Sequence, residues 1–319
     1  MLPPTETVIA SRRAPPQTWI SRLSIRIPEV MLLLVAAIWG GSYSATKLAT
    51  HQLPVLMFLT IRFGITFVLL SPALRPLRGT QWQRNISIGL ALGLNLFAIF
   101  LCETFGVTLT TAANAAFLIS LCVAFTPLVE RILFKKSIPK PIVATIVVSI
   151  LGAGLLSLNS VSRLSLGWGD GLILVAAILR AVMVCLTKKF AAYHMLPALT
   201  LTAVQAGVIA AGSFLLLFMA PSFGGSTLVE MIASLSNEGT RFWAEMGFLI
   251  LFCTIFAFFS QNYAASRTNP TKVALLMGSE PVFGALFAVI WLGESVSYVG
   301  WIGGALIIGA TCLTSLVKI

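Results

Sequence analysis

Between its long apolar stretches this chain alternates basic gaps with gaps almost free of positive charge. Sixteen of its twenty-one Lys and Arg residues occupy every second gap. They are Arg12, Arg13, Arg22 and Arg26, then Arg75, Arg78 and Arg84, then Arg131, Lys135, Lys136 and Lys140, then Lys188 and Lys189, then Arg267 and Lys272, and last Lys318. The intervening gaps hold Lys47, Arg163 and Arg241. Positive charge resists translocation, so loops rich in Lys and Arg stay on the cytoplasmic face of a membrane. The alternation therefore predicts a chain that crosses a bilayer many times, with both ends in the cytoplasm.

The solvent follows from the same residues. Of the 319 residues 58 % are hydrophobic and 10 % are charged, against about 25 % charged in soluble domains. A chain of mean hydropathy +0.97 has too few polar groups to cover its own surface, so lipid must be its partner. The net charge of +11 sits in short alternate loops, where anionic lipid attracts it; no nucleic-acid partner is expected. Cys102, Cys122, Cys185, Cys253 and Cys312 all lie inside apolar runs without a C-x-x-C, and His51 and His194 lie in loops. Neither a metal centre nor a disulfide framework is expected, and no cofactor. Residues 1–28 carry Pro3, Pro4, Pro15 and Pro16 and four arginines without an apolar core, which reads as a flexible cytoplasmic tail rather than a signal peptide.

A spanning helix needs about 20 apolar residues. Ten stretches qualify: 29–49, 54–72, 86–105, 112–133, 141–158, 169–190, 197–219, 243–265, 270–292 and 298–317. The long gap 220–242 is expected outside, with Thr227–Leu235 on the membrane surface. The chain also repeats weakly. Ala36-Ala37-Ile38 recurs as Ala176-Ala177-Ile178, and Leu53-Pro54 as Leu196-Pro197. Ala112–Ile138 aligns without gaps on Thr271–Ser297, pairing Ala115 with Ala274, Phe117 with Leu276 and Ser120 with Ser279. Repeats in matching order point to duplication. Five helices per half, an odd number, make the second half enter from the opposite face. The expected fold is an all-α membrane protein of ten helices in two inverted repeats, 29–158 and 169–317, with a substrate path between them.

Several strings carry a family resemblance: Ala36-Ala37-Ile38-Trp39-Gly40-Gly41-Ser42, Ala274–Phe283 with its Glu280-Pro281, Leu292-Gly293-Glu294, and Gly303–Gly309. Over residues 29–317 the chain resembles the drug/metabolite transporter superfamily, in its ten-helix branch with two EamA-type repeats. The first repeat departs from the pattern: Cys122 stands opposite Pro281, and Lys135 opposite Glu294. The resemblance implies export of small metabolites, including aromatic and other amino acids, across a bacterial inner membrane.

Charges deep in a membrane are functional suspects. Arg62, Arg180 and Glu280 are the deep ones, and Glu280 lies roughly 15 Å from its helix start. An Arg can hold a substrate carboxylate through two hydrogen bonds, a role that suits Arg180. Glu280 and Arg62 are candidates for proton or charge coupling, or for a pairing that locks helices. Glu103, Glu130 and Glu245 fall near span ends and are expected at the interface. Asn95, Asn114, Gln205, Gln261 and Asn262 can orient an amino-acid backbone or join helices. Trp39, Tyr43, Phe117, Met183 and Met277 can form an adaptable apolar cavity or plain packing. Asn95, Asn114 and Gln261 join these five and Arg180 as the substrate-binding candidates. Gly89-x-x-x-Gly93 and Gly300-x-x-x-Gly304 permit close helix approach, within one bundle or in a weak homo-oligomer.

The chain lacks G-x-x-x-x-G-K-[ST], so no ATPase site or ATPase subunit is indicated. The expected function is a secondary transporter exporting small metabolites, amino acids foremost, by alternating access. A sugar-phosphate, nucleotide-sugar or cationic-drug carrier of the same fold is the alternative. An intramembrane protease, suggested by Gly167-Trp168-Gly169-Asp170, needs two aspartates, and Asp170 is the sole Asp.

Overall fold

The computed structural model describes residues 19–78, 82–110, 112–135, 137–157, 167–193, 196–219, 235, 238–292 and 296–316. Among them every regular element is helical. The first half holds α1 (Trp19–Gly40), α2 (Ser42–Gln52), α3 (Val55–Leu70), a 3-10 turn (Ser71–Arg78), α4 (Trp82–Leu109), α5 (Ala112–Ser120), α6 (Cys122–Phe134) and α7 (Lys140–Ser157). The second holds α8 (Trp168–Tyr193), α9 (Ala198–Met219), α10 (Thr240–Ile250), a π-helical turn (Leu251–Phe256), α11 (Ala257–Arg267), α12 (Pro270–Met277), α13 (Glu280–Leu292) and α14 (Tyr298–Leu316).

Six helical runs are long and apolar enough to cross a membrane, seven when α1 and α2 count as one bent span, and Lys140–Leu156 and Tyr298–Leu313 are shorter. The first helix starts at Trp19, inside the expected tail, and carries Pro28 within it. The expected surface stretch Thr227–Leu235 lies outside the described residues except for Leu235. Large apolar side chains on the perimeter, among them Val68, Leu94, Ile132 and Ile290, are more than half exposed, as expected of a chain whose solvent is lipid.

Local chemistry places the breaks. Proline lacks a backbone donor and presets φ, so it suits the first helical turn. Pro54 precedes α3, and Pro270 opens α12 behind Asn269, whose side chain accepts from the Thr271 N–H. The α1–α2 pair bends by 41° at Gly41. There the Ser42 hydroxyl donates to the Trp39 carbonyl at 2.8 Å, and Gly40 packs on backbone: a Cβ on it would lie 2.7 Å from Gly284 N. α5 and α12 break in the same way. Ser120 donates to the Phe117 carbonyl at 2.6 Å, and Ser279 to the Leu276 carbonyl at 2.7 Å.

Packing brings distant segments together. α4 lies on α8 and α9, α3 on α9, α7 on α14, α6 on α8 and α12, and α1 on α11, α12 and α13. Gly89 and Gly93 receive Val204 and Val208 of α9, while Gly300 faces the Leu156 carbonyl of α7 and Gly304 faces Val282 of α13. Both glycine motifs thus serve contacts inside the bundle.

Candidate functional site

Four helices meet at one guanidinium. Arg180, midway along α8, donates from Nη2 to both oxygens of Glu103 on α4, at 3.1 and 2.9 Å. Its Nη1 donates to Glu280 Oε2 at 3.3 Å. Tyr43 on α2 donates its hydroxyl to Glu280 Oε1 at 2.6 Å. The guanidinium also lies 4.8 Å from the Trp39 ring centroid, and Trp39 Nε1 donates to the Cys253 carbonyl at 2.9 Å. In low dielectric an unpaired charge is costly, so this chain of bonds ties α1, α2, α4, α8, α13 and the π turn into one unit.

The helix breaks supply the pieces. The turn at Gly278-Ser279 puts Glu280 at the first position of α13, directed at α8. The π turn directs the Cys253 carbonyl at Trp39. Glu103 arrives because α4 continues to Leu109 rather than ending near 105, which carries the carboxylate well inside the bundle. This corrects the expectation that Glu103 reaches the interface. Glu130 does lie near its helix end, but it is buried against protein there and accepts from the Thr271 N–H at 3.1 Å and from the Thr271 hydroxyl. Glu245 does sit near the surface, paired with the exposed Arg241 at 3.1 Å.

Three small cavities, of about 20, 10 and 10 Å³, surround this network, and Arg180 lines all three. Each holds little more than one water, so the site is closed. Trp39, Tyr43 and Arg62 line the first, Met183 and Gln261 the second, Gln261, Met277 and Glu280 the third. Among the described residues the buried Gln261 Oε1 atom has no hydrogen-bond partner, and its Nε2 faces Met277 Sδ at 3.8 Å.

Three candidates are placed otherwise. Asn95 donates to the Leu179 carbonyl at 3.1 Å and so joins α4 to α8. Phe117 packs against two apolar clusters, one holding Tyr43 and Ala115 and the other Ala153 and Val282, and lines none of the three cavities. Asn114 lies in α5, and its side chain is outside the described residues. Asn262 bonds Thr202 and Gln205 of α9 at 3.1 and 2.8 Å, as helix glue. Asp170 accepts from Thr110 at 2.6 Å and from the Gly167 N–H at 3.1 Å, capping its own helix. Among the described residues no cluster of three metal-ligating side chains forms. A larger cavity of about 470 Å³, lined by Leu56, Cys102, Leu172 and Leu216 among others, is apolar and open, a lipid-facing groove apart from the charged network.

The EamA-like transporter family matches this sequence twice, over residues 26–158 and 167–316. The chain belongs to the EamA-like transporter family. It is a multi-pass membrane transporter and not an enzyme. An uncharacterized transporter of Archaeoglobus fulgidus is 26% identical over 288 residues, covering 90% of this chain and 85% of its own. A probable amino-acid metabolite efflux pump of Escherichia coli is 25% identical, over 87% of this chain and 91% of its own. The inner membrane transporter YedA of the same organism is 26% identical, over 90% of each chain. One solved crystal structure superposes with a TM-score of 0.70 over 91% of this chain and 96% of its own. At 18% identity that likeness concerns the fold alone. The EamA strings fall on the observed breaks: Trp39-Gly40-Gly41-Ser42 is the α1–α2 bend and Gly278-Ser279-Glu280 the α12–α13 break. Glu294, in the third string, lies outside the described residues.

Proposed function

We propose that this transporter exports small metabolites, amino acids foremost, from the cytoplasm by alternating access between two inverted five-helix halves. The observation that carries the reading is Arg180 held between Glu103 and Glu280 in the wall of the three cavities described above. Arg62 lines the first cavity as a second cation. Two guanidiniums and two carboxylates sum to zero formal charge, which suits a zwitterion that brings one charge of each sign. A phosphate carrier needs excess positive charge in its cavity, whereas here two carboxylates, both held by Arg180, offset the two guanidiniums in sum. The name of the Escherichia coli efflux pump agrees with the amino-acid reading.

The ten-span topology has separate support. Contacts expected at the outer end cluster together: Lys47 donates to the Thr110 carbonyl and Thr110 to Asp170. Those expected at the cytoplasmic end do the same, with Glu29 paired to Lys272, Thr271 bonded to Glu130 and Lys188 bonded to the Ser266 carbonyl. Numbered as ten segments, the helix contacts are also symmetric when each segment is exchanged with the one five places on. The third lies on the sixth and the first on the eighth, the fourth on the sixth and the first on the ninth. The second packs on the seventh, the fourth on the ninth and the fifth on the tenth.

The driving force is a gradient, of substrate or of protons through Glu280. The test is counterflow in proteoliposomes with a panel of labelled amino acids, with and without a pH gradient. Saturable exchange of at least one amino acid is expected. If phosphorylated sugars displace label and no amino acid does, the amino-acid reading is wrong.

A further inference from the structure

The second guanidinium is held in a different way. Arg62 lies on α3, two turns in from Val55 and about 10 Å inside the helix end, and is 4 % exposed. Its Nε donates to Thr254 Oγ1 at 2.9 Å. Its guanidinium carbon stands 5.4 Å from the ring centroids of Phe63 and Phe100 and 5.9 Å from that of Phe58. Among the described residues no carboxylate lies within 4.0 Å of it, and Nη1 and Nη2 make no hydrogen bond.

A guanidinium does not give up its proton in a protein, so this charge persists wherever it is placed. Aromatic faces offset part of the desolvation cost, but a buried ion without an ionic partner remains strongly unfavourable. A position that served only the fold would do better with an apolar side chain. The fixed end of Arg62 is Nε, held by a hydroxyl that itself donates to the Leu249 carbonyl at 2.7 Å. That leaves the two-pronged end, the part that matches a carboxylate in geometry, for the cavity it lines with Trp39, Tyr43, Glu103 and Arg180. Arg180, by contrast, already spends both terminal nitrogens on Glu103 and Glu280.

The geometry points to Arg62, rather than Arg180, as the residue that receives the carboxylate of the transported molecule. This rests on the amino-acid reading above and sharpens it. The site selects for a carboxylate at Arg62, and the Arg180 network closes around it. Phe58, Phe63 and Phe100 keep water from the pair, so the two hydrogen bonds form in low dielectric, where they are strongest.

Three probes separate the charges: phenylalanine, phenylethylamine without the carboxylate, and 3-phenylpropionate without the ammonium. Binding is read as the concentration-dependent shift in melting temperature of the purified protein. Arg62→Gln is expected to weaken phenylalanine and 3-phenylpropionate about 10- to 100-fold, the range for a hydrogen bond to a charged group, and to leave phenylethylamine unchanged. Arg62→Lys, which keeps the charge and loses the fork, is expected between the two. Without ligand, Arg62→Gln is expected to melt no lower than the parent, because it removes an unmatched buried charge. Equal weakening of all three probes, or a lower melting point without ligand, makes Arg62 structural and overturns the assignment. Unchanged phenylalanine binding in Arg62→Gln overturns it too, and leaves the amino-acid reading standing. A parent protein that binds 3-phenylpropionate and not phenylalanine sinks the amino-acid reading and keeps Arg62. A parent that binds neither carboxylate overturns both.

Discussion

The two broken segments, α5–α6 and α12–α13, share a backbone and differ in chemistry. Each is interrupted at a serine whose hydroxyl bonds the carbonyl three residues back, and the two serines, Ser120 and Ser279, are aligned in sequence. One residue further on, the second half has Glu280 and the first has Leu121. The partner of Glu280 follows the same rule: matching Ala36-Ala37-Ile38 to Ala176-Ala177-Ile178 sets Arg180 opposite Gly40. A charged pair in one arrangement thus corresponds to leucine and glycine in the other. Broken helices are a geometric requirement of the fold, met twice, whereas an ion pair at the centre is a chemical requirement, met once.

The difference can be broken at its acid. Glu280→Gln keeps an oxygen for the Tyr43 hydroxyl and removes the titratable carboxylate. The expected result is complete loss of any acceleration by a pH gradient in proteoliposomes, while Leu121→Gln leaves that response intact. A response that survives in Glu280→Gln removes Glu280 from proton coupling.

Arg180→Met strands Glu103 and Glu280 beside one another. Removing one partner of a buried ion network costs about 3–5 kcal/mol, to be read from thermal unfolding in detergent. A loss below about 1 kcal/mol would place the network in the class of exposed ion pairs. Gly40→Ala, at the aligned position, acts by crowding instead. Its Cβ would lie 2.7 Å from Gly284 N and 2.8 Å from the Glu280 carbonyl oxygen, backbone atoms with nowhere to move. Overpacking of this kind costs about 1–3 kcal/mol, and a neutral outcome by the same assay would show that α1 and α13 slide freely.

The smallest effect tests the shared part. Ser120→Ala and Ser279→Ala each remove one hydroxyl-to-carbonyl bond, about 0.5–1.5 kcal/mol. The two losses are expected to agree within about 0.5 kcal/mol. A clear inequality would mean that the breaks are alike in shape alone.

Much of this was legible in the chain. Apolar length and proline placement located the helices, and depth counting found Arg62, Arg180 and Glu280. Glu103 was missed because distance to a helix end was counted from the apolar boundary near 105, while α4 runs on through Thr108 and Leu109. The burial of Glu130 at its helix end was not legible, because nothing local reveals that Thr271 covers it from 141 residues away. Asn95 and Phe117 were candidate ligands by residue type, but which side of a helix meets the cavity depends on tertiary packing. The π turn left no signal: Leu251–Phe256 is as apolar as its neighbours, and the extra residue in that turn is visible only in the backbone.

That turn has a mechanical consequence. A π-helical turn holds one residue more than the α-helix around it, and the surplus can pass along the chain without unfolding it. Each residue it passes is carried about 100° around the axis and about 1.5 Å along it. Cys253 and Thr254 lie side by side in the turn, the first accepting from Trp39 and the second from Arg62. Sliding the surplus by one position would turn both away together, releasing an aromatic wall and a cation in a single register step.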